Sequence, residues 1–292
     1  MSELLKITGL GKSFGRHRVF AGLNMKLSAG KVYGLLGLNG EGKTTLIRIL
    51  LGVIPADCGQ IHYKDTPVLY GSAGYKEEVG YIPEDFFLFA GMRVGELLDF
   101  NSAFYHRWDN GRAADLLKRF SLDKKARIKT LSRGMKLRLE MVTALAAQPA
   151  FLILDDPTSG LDVPTRHDFL QGIIRELADS GTTILFATHL VHELERIVDH
   201  IFILDGGRII MDEEYEAVKN STRRVRLSFE AKSPGDFGIE GILTMQRDGR
   251  RVEMVVRPWS EDKKRAIESL GPRNLEVEPL SLEDIFRSFV AR

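Results

Sequence analysis

The chain has 292 residues but a single cysteine, Cys58. No intramolecular disulfide can form, and a reducing compartment is compatible with the composition. Charge of one sign is also missing. Lysine and arginine number 41 against 40 acidic residues, a formal net charge of +1. That balance gives no electrostatic case for a nucleic-acid partner, and none is expected. Long apolar runs are absent too. A membrane-spanning helix needs about 20 consecutive apolar residues. The best stretch, Ile184 to Leu204, is broken by His189, His192, Glu193, Glu195, Arg196, Asp199 and His200. The chain is therefore not expected to cross a bilayer, and any membrane role must come through a partner. Met1-Ser2-Glu3 begins no charged and apolar leader, so no secretory signal is expected. Internal repeats, low-complexity tracts and coiled-coil heptads are likewise not seen.

What remains is a chain with 43% apolar and 28% charged residues. That composition suits a sizeable core: one large α/β domain with a small appendage. Its most informative stretch is Gly37-Leu-Asn-Gly-Glu-Gly-Lys-Thr-Thr45, a phosphate-binding loop of the form G-x-x-x-x-G-K-[ST]. An apolar run from Val32 to Leu36 precedes it, and Thr45 to Leu51 suits the first turns of a helix. Glycines let backbone N–H groups wrap phosphates, and a helix N-terminus adds partial positive charge. Lys43 reaches toward the β- and γ-phosphates in such a loop, and the Thr44 hydroxyl toward Mg²⁺. The chain is expected to bind a nucleoside triphosphate.

Strand-like and helical segments alternate over roughly the first 215 residues, which predicts α/β architecture. Strands are expected near Leu4 to Ile7, Lys31 to Gly37, Phe151 to Asp155, Thr183 to Ala187 and Ile201 to Leu204. Asp205-Gly206-Gly207 predicts a tight turn into Arg208 to Met211. Between Arg93 and Ala147 the pattern is helical. Val94, Leu97, Leu98, Phe104 and Tyr105 fall at helical spacing, as do Leu137, Met141 and Leu145. After about Lys219 the texture shifts. Arg223 to Glu230 alternates, and Asp248-Gly249 predicts a hairpin between Gly241 to Arg247 and Arg250 to Arg257. Ser260 is the expected N-cap of a helix to about Leu270, followed by a short strand near Leu275 to Val277 and a last helix, Leu282 to Val290. The expected division is a nucleotide-binding domain over residues 1–219, with a helical subdomain at about 90–148, and a C-terminal α+β appendage over 220–292.

Beyond the loop, Phe151-Leu-Ile-Leu-Asp155 is an apolar strand ending in a carboxylate, the expected place for holding Mg²⁺. Leu131-Ser-Arg-Gly-Met135 opens a helix with Ser and Gly, an anion-receptive arrangement. Thr188-His189 sits where another buried strand ends. Together these residues resemble the ATP-binding-cassette ATPases over residues 3 to about 215. Leu131 to Met135 is similar to the family's L-S-G-G-Q signature in its L-S-x-G-M variant, and Leu38 stands where Pro is usual. The resemblance implies that Asp155 and Thr44 hold Mg²⁺ and that Asn39, Gly40, Gly42, Lys43, Thr44 and Thr45 bind ATP. Phe14 matches the aromatic that stacks on adenine, and Val19 is grouped with the nucleotide contacts. His189 matches the switch histidine that contacts the γ-phosphate. Ser159 to Asp162 matches the loop that crosses a dimer interface. Two cassettes then close head-to-tail, Ser132 and Gly134 of one meeting the triphosphate of the other.

Two departures from the family pattern stand out. Asp156 occupies the place of the Glu that polarises the attacking water, and its carboxylate sits roughly an ångström short, a misplacement that can cost ~10²-fold in rate. It is either a slow base or a harmless variant. Glu84 stands where Gln is common, and a carboxylate only accepts hydrogen bonds, which favours contact through Mg²⁺ or its water. Aromatics follow it, Phe86, Phe87, Phe89, Phe100, Phe104, Tyr105 and Trp108, where the family receives its membrane subunit. The ending Ser281 to Phe286 is similar to the tail of exporter-type subunits, with a dimer-contact or regulatory role open. The expected function is the ATPase subunit of an exporter-type transporter at the cytoplasmic face of the membrane. Its partners are a second cassette, identical or different, and a separate membrane permease. A soluble cassette protein and a nucleotide-gated switch are the alternatives.

Overall fold

The computed structural model describes residues 2–290 apart from 73, 87, 164, 167–168, 171–173 and 175–179. The chain forms two compact units, one of Met1–His189 and Ile197–Asp212, the other of Leu190–Arg196 and Glu213–Arg292.

The first unit begins with a long antiparallel hairpin, β1 (Glu3–Phe14) and β2 (His17–Ser28). Next come β3 (Val32–Leu36) and α1 (Lys43–Leu50). Strands β4 (Cys58–Tyr63) and β5 (Thr66–Pro67) then return to the hairpin, giving a sheet of order β2-β1-β4-β5. Of the four strands of this sheet, only the start of β1 is legible in the sequence. The reason lies in the register: the β1–β2 ladder shifts at several places, including between Ile7 and Leu10. Each irregularity moves the apolar set to the other face and erases a clean alternation.

Strand β6 (Val79–Ile82) leads into a helical section, α2 (Val94–Ser102), α3 (Asn110–Arg119) and α4 (Arg133–Ala146). Phe104 and Tyr105 lie beyond the end of α2, contrary to their spacing. Strands β7 (Phe151–Asp155), β8 (Thr183–Thr188), β9 (His200–Asp205) and β10 (Arg208–Glu214) complete a second sheet, ordered β10-β9-β3-β8-β7-β6. Every residue of β3, β7 and β8 is buried, as expected for parallel strands covered on both faces. Their register aligns the carboxyl ends: Leu36 pairs with Thr188, Ala187 with Asp155, and Leu154 with Ile82. In open parallel sheets ligands bind at that edge.

In the second unit, α5 (Tyr215–Ser221) precedes β11 (Arg223–Ser228), β12 (Ile242–Asp248), β13 (Arg251–Val256), α6 (Glu261–Ser269), β14 (Asn274–Pro279) and α7 (Leu282–Val290). The sheet is antiparallel, in the order β12-β13-β11-β14. Asp248 pairs with Arg251 across the hairpin turn. Ser260 caps α6, its Oγ accepting from the Lys263 N–H at 3.3 Å. Val225, Leu227, Val252, Met254 and Ile267 form its core.

Candidate active site

Strand β3 delivers Gly37 to Gly42 to the N-terminus of α1. Gly40 and Gly42 have φ of 90° and 100°, values at which a β-carbon is penalised. Space forbids one as well. At Gly42 it would lie 2.6 Å from Val19 Cγ1, and at Gly37 2.8 Å from the Leu204 carbonyl oxygen. The loop is therefore pressed against β2 and β9. No side chain caps α1, which leaves its first-turn N–H groups to an anion. Asn39 and Gly40 are exposed, and Thr45 is half-buried. Lys43 is buried, its ammonium donating to the carbonyls of Gly37 at 2.7 Å and Leu38 at 3.1 Å. Burial lowers its pKa against the opposing pull of Asp156, Asp155, Glu41 and Glu84.

Strand β7 brings Asp155 beneath this loop. The Thr44 hydroxyl donates to Asp155 Oδ1 at 3.3 Å. Burial pushes the Asp155 carboxyl up to about 6; the Thr44 hydrogen bond and Lys43 oppose the rise, while Asp156 and Glu84 add to it. Asp156, next along, is buried with a φ of 46°. Both its carboxylate oxygens are engaged. Thr188 Oγ1 donates to Oδ1 at 3.0 Å, and the His189 ring nitrogen Nδ1 hydrogen-bonds Oδ2. Glu84 is exposed at the end of β6, and its charge reaches both Lys43 and Asp155. Phe14 is exposed at the end of β1, with Lys12 Nζ 5.2 Å from its ring centre.

A second group lies elsewhere on the unit. Ser132 N-caps α4, its Oγ accepting from the Met135 N–H at 3.2 Å. Ser132, Gly134, Gly160, Leu161 and Asp162 line a depression of about 300 Å³. Lys43, Thr44, Asp155, Asp156 and His189 do not line it. The Asp162 carboxylate accepts from the Thr165 N–H at 2.8 Å, which lowers its pKa. So the structure gathers Lys43, Thr44, Asp155, Asp156 and His189 at one sheet edge, and places Ser132, Gly134 and Asp162 along a depression that those residues do not line.

Two tethers went unread in the sequence. Glu41 Oε2 accepts from the Gly206 N–H at 2.7 Å, tying the phosphate loop to the turn after β9. Arg133 binds the carbonyls of Ser159 and Glu84. A backbone donor or acceptor leaves no mark in the sequence, so neither could be found there. The aromatic set after Glu84 divides. Phe89, Phe100 and Phe104 are exposed and make edge-on ring contacts at 5.7 and 5.1 Å. Tyr105 and Trp108 stack at 6.4 Å. Phe87 lies outside the described residues.

The ABC transporter family model matches residues 20–159. A Nod factor export ATP-binding protein from Burkholderia orbicola is 38% identical over 206 residues, 69% of this chain and 67% of that protein. The chain belongs to the ABC transporter ATPases. The ABC transporter ATP-binding protein YtrB of Bacillus subtilis is 27% identical over 283 residues, 97% of both chains. A solved ATP-binding subunit of an ABC transporter superposes with a TM-score of 0.68 at 27% identity, covering 74% of this chain and 92% of that one. This ABC transporter subunit hydrolyses ATP to drive transport through a separate membrane subunit. Among its described residues no helix is long and apolar enough to cross a membrane.

Proposed function

We propose that the subunit works as half of a two-cassette ATPase docked on its permease at the cytoplasmic face of the membrane. The observation that carries this reading is that Ser132 and Gly134, at the start of α4, line a depression to which Lys43, Asp155, Asp156 and His189 contribute nothing. A facing copy supplies what one cluster lacks. Lys43 and the amides around Asn39, Gly40, Gly42, Thr44 and Thr45 hold the triphosphate; Phe14 and Val19 lie on the nucleotide side. Asp156, oriented by Thr188 and His189, polarises the attacking water, and His189 reaches the γ-phosphate. Catalysis of phosphoryl transfer is mostly positioning and charge stabilisation.

Mg²⁺ suits the donors present. Thr44 Oγ1 and Asp155 Oδ1 are hard oxygens side by side, and Glu84 stands within electrostatic reach. Among the described residues no cluster of three or more acidic, His or Cys groups could hold a metal alone. Mg²⁺ needs none, because it takes one or two protein oxygens and completes its shell with phosphate and water. When bound, it neutralises charge on the phosphates.

The exposed rings of Phe89, Phe100 and Phe104 are the proposed seat of the permease. Relatives named for daunorubicin resistance and Nod factor export support outward transport. The test is Asp156→Asn in the full-length chain with MgATP. A nucleotide-dependent dimer is expected by light scattering, and it should vanish when Ser132→Ala is added. Hydrolysis whose specific rate does not depend on protein concentration, with Ser132→Ala as active as the parent chain, would contradict the reading.

A further inference from the structure

The signature-like run carries an arginine, Arg133, where L-S-G-G-Q has its first glycine. Beside Ser132, the obvious chemical role for a cation is another contact to phosphate on the facing copy. The geometry assigns it otherwise. Nε donates to the Ser159 carbonyl at 2.8 Å, and Nη2 donates to the Glu84 carbonyl at 3.0 Å. The guanidinium carbon lies 5.4 Å from the ring centre of Phe86. Gly160, at φ 72°, lies close by, and a β-carbon there would sit 3.2 Å from Nε. The side chain thus commits two of its five N–H donors, on two different nitrogens, inside its own subunit.

We infer that Arg133 is a positioning residue, a clamp holding three segments in one arrangement: the start of α4 with Ser132 and Gly134, the loop from Ser159 to Asp162, and the loop bearing Glu84. This rests on the proposal that Ser132 and Gly134 complete the facing copy's site. The clamp needs arginine. Its planar fork presents several N–H groups in fixed directions and stacks on an aromatic face, whereas a lysine ammonium is a single compact donor. Two acceptors on separate loops, 26 and 49 residues away in sequence, are then fixed by one rigid group. When the fork is lost, the segments move independently and the closed site is assembled less often in its productive form.

The test compares Arg133→Met, Arg133→Lys and Ser132→Ala in the full-length chain. Methionine keeps an apolar stem over Phe86 but has no donor. Steady-state kinetics on ATP and backbone hydrogen exchange over residues 83–86 and 159–162 are measured together. Arg133→Met is expected to lower kcat by about 10-fold, within the range that ångström-scale misplacement costs. KM should move by less than about 2-fold because the phosphate loop is untouched. Exchange should quicken in both loops, and lysine should restore neither property fully. Unchanged exchange in Arg133→Met would overturn the clamp, and so would full rescue by lysine with KM alone affected, the signature of a phosphate contact. If Ser132→Ala is also fully active, the facing-copy reading itself fails. If Ser132→Ala is inactive while Arg133→Met behaves like the parent chain, only the clamp fails.

Discussion

Asp156 is the residue proposed to polarise the attacking water. Its backbone is left-handed, with φ 46°, a region in which Asp is enriched several-fold over most side chains. Its carboxylate is held from both sides by Thr188 and His189. Asp156→Glu is therefore expected to act in two directions. The added methylene extends the carboxylate toward the water and raises kcat, while the less favourable backbone lowers stability by about 1 kcal/mol. Steady-state ATPase assays and urea unfolding read the two effects, and a fall in kcat rejects the idea that Asp is the slow choice. The identity of this residue was legible in the sequence. Its grip was not, because Thr188 and His189 are 32 and 33 residues distant and only the β7–β8 pairing brings them near.

Among the elements, α4 carries both the Ser132 cap and a titratable group. Glu140 is half-buried in this helix, and burial pushes its carboxyl up to about 7. An acid whose pKa is higher folded than unfolded holds more protons in the native state between the two values. Stability therefore falls as pH rises from about 4.5 to about 7. Glu140→Gln, which keeps the shape and cannot ionise, is expected to be more stable than the parent chain at pH 8 by on the order of 2 kcal/mol. Near pH 4 the two should match. Thermal unfolding at the two pH values measures this, and an equal difference at both would mean that the charge is irrelevant. Helix α4 itself was readable, since Leu137, Met141 and Leu145 recur every four residues and all three are buried. Strands β2 and β4 were not readable, because bulges interrupt the period on which such reading depends.

At the scale of the molecule, the chain enters its second unit twice. Leu190–Arg196 belongs to it together with Glu213–Arg292. Within that unit α7 packs against Val191–Glu193, and Val191 and Leu194 are buried. The C-terminal unit is proposed to steady the residues that directly follow His189. Truncation after Lys219 strips α7 from this segment. Its expected outcome is a lower unfolding temperature, with exposed Val and Leu side chains each worth about 1.5–3 kcal/mol of burial. ATPase activity should fall with it. An unchanged melting curve, dimerisation and activity would leave the appendage without this role.

By itself the sequence determined the ligand class and the kind of chemistry. A phosphate loop, a strand-end carboxylate and a serine-glycine helix start each hold their information in consecutive residues, and local geometry follows from local order. Only the tertiary structure decided which of them share a space. Glu41 meets Gly206, Arg133 meets Ser159 and Glu84, and Asp156 meets His189 through pairings between distant segments. Most of those contacts end on backbone N–H or C=O groups, which nearly every residue carries alike. No choice of side chain announces them, so they exist only once the sheet has set its register.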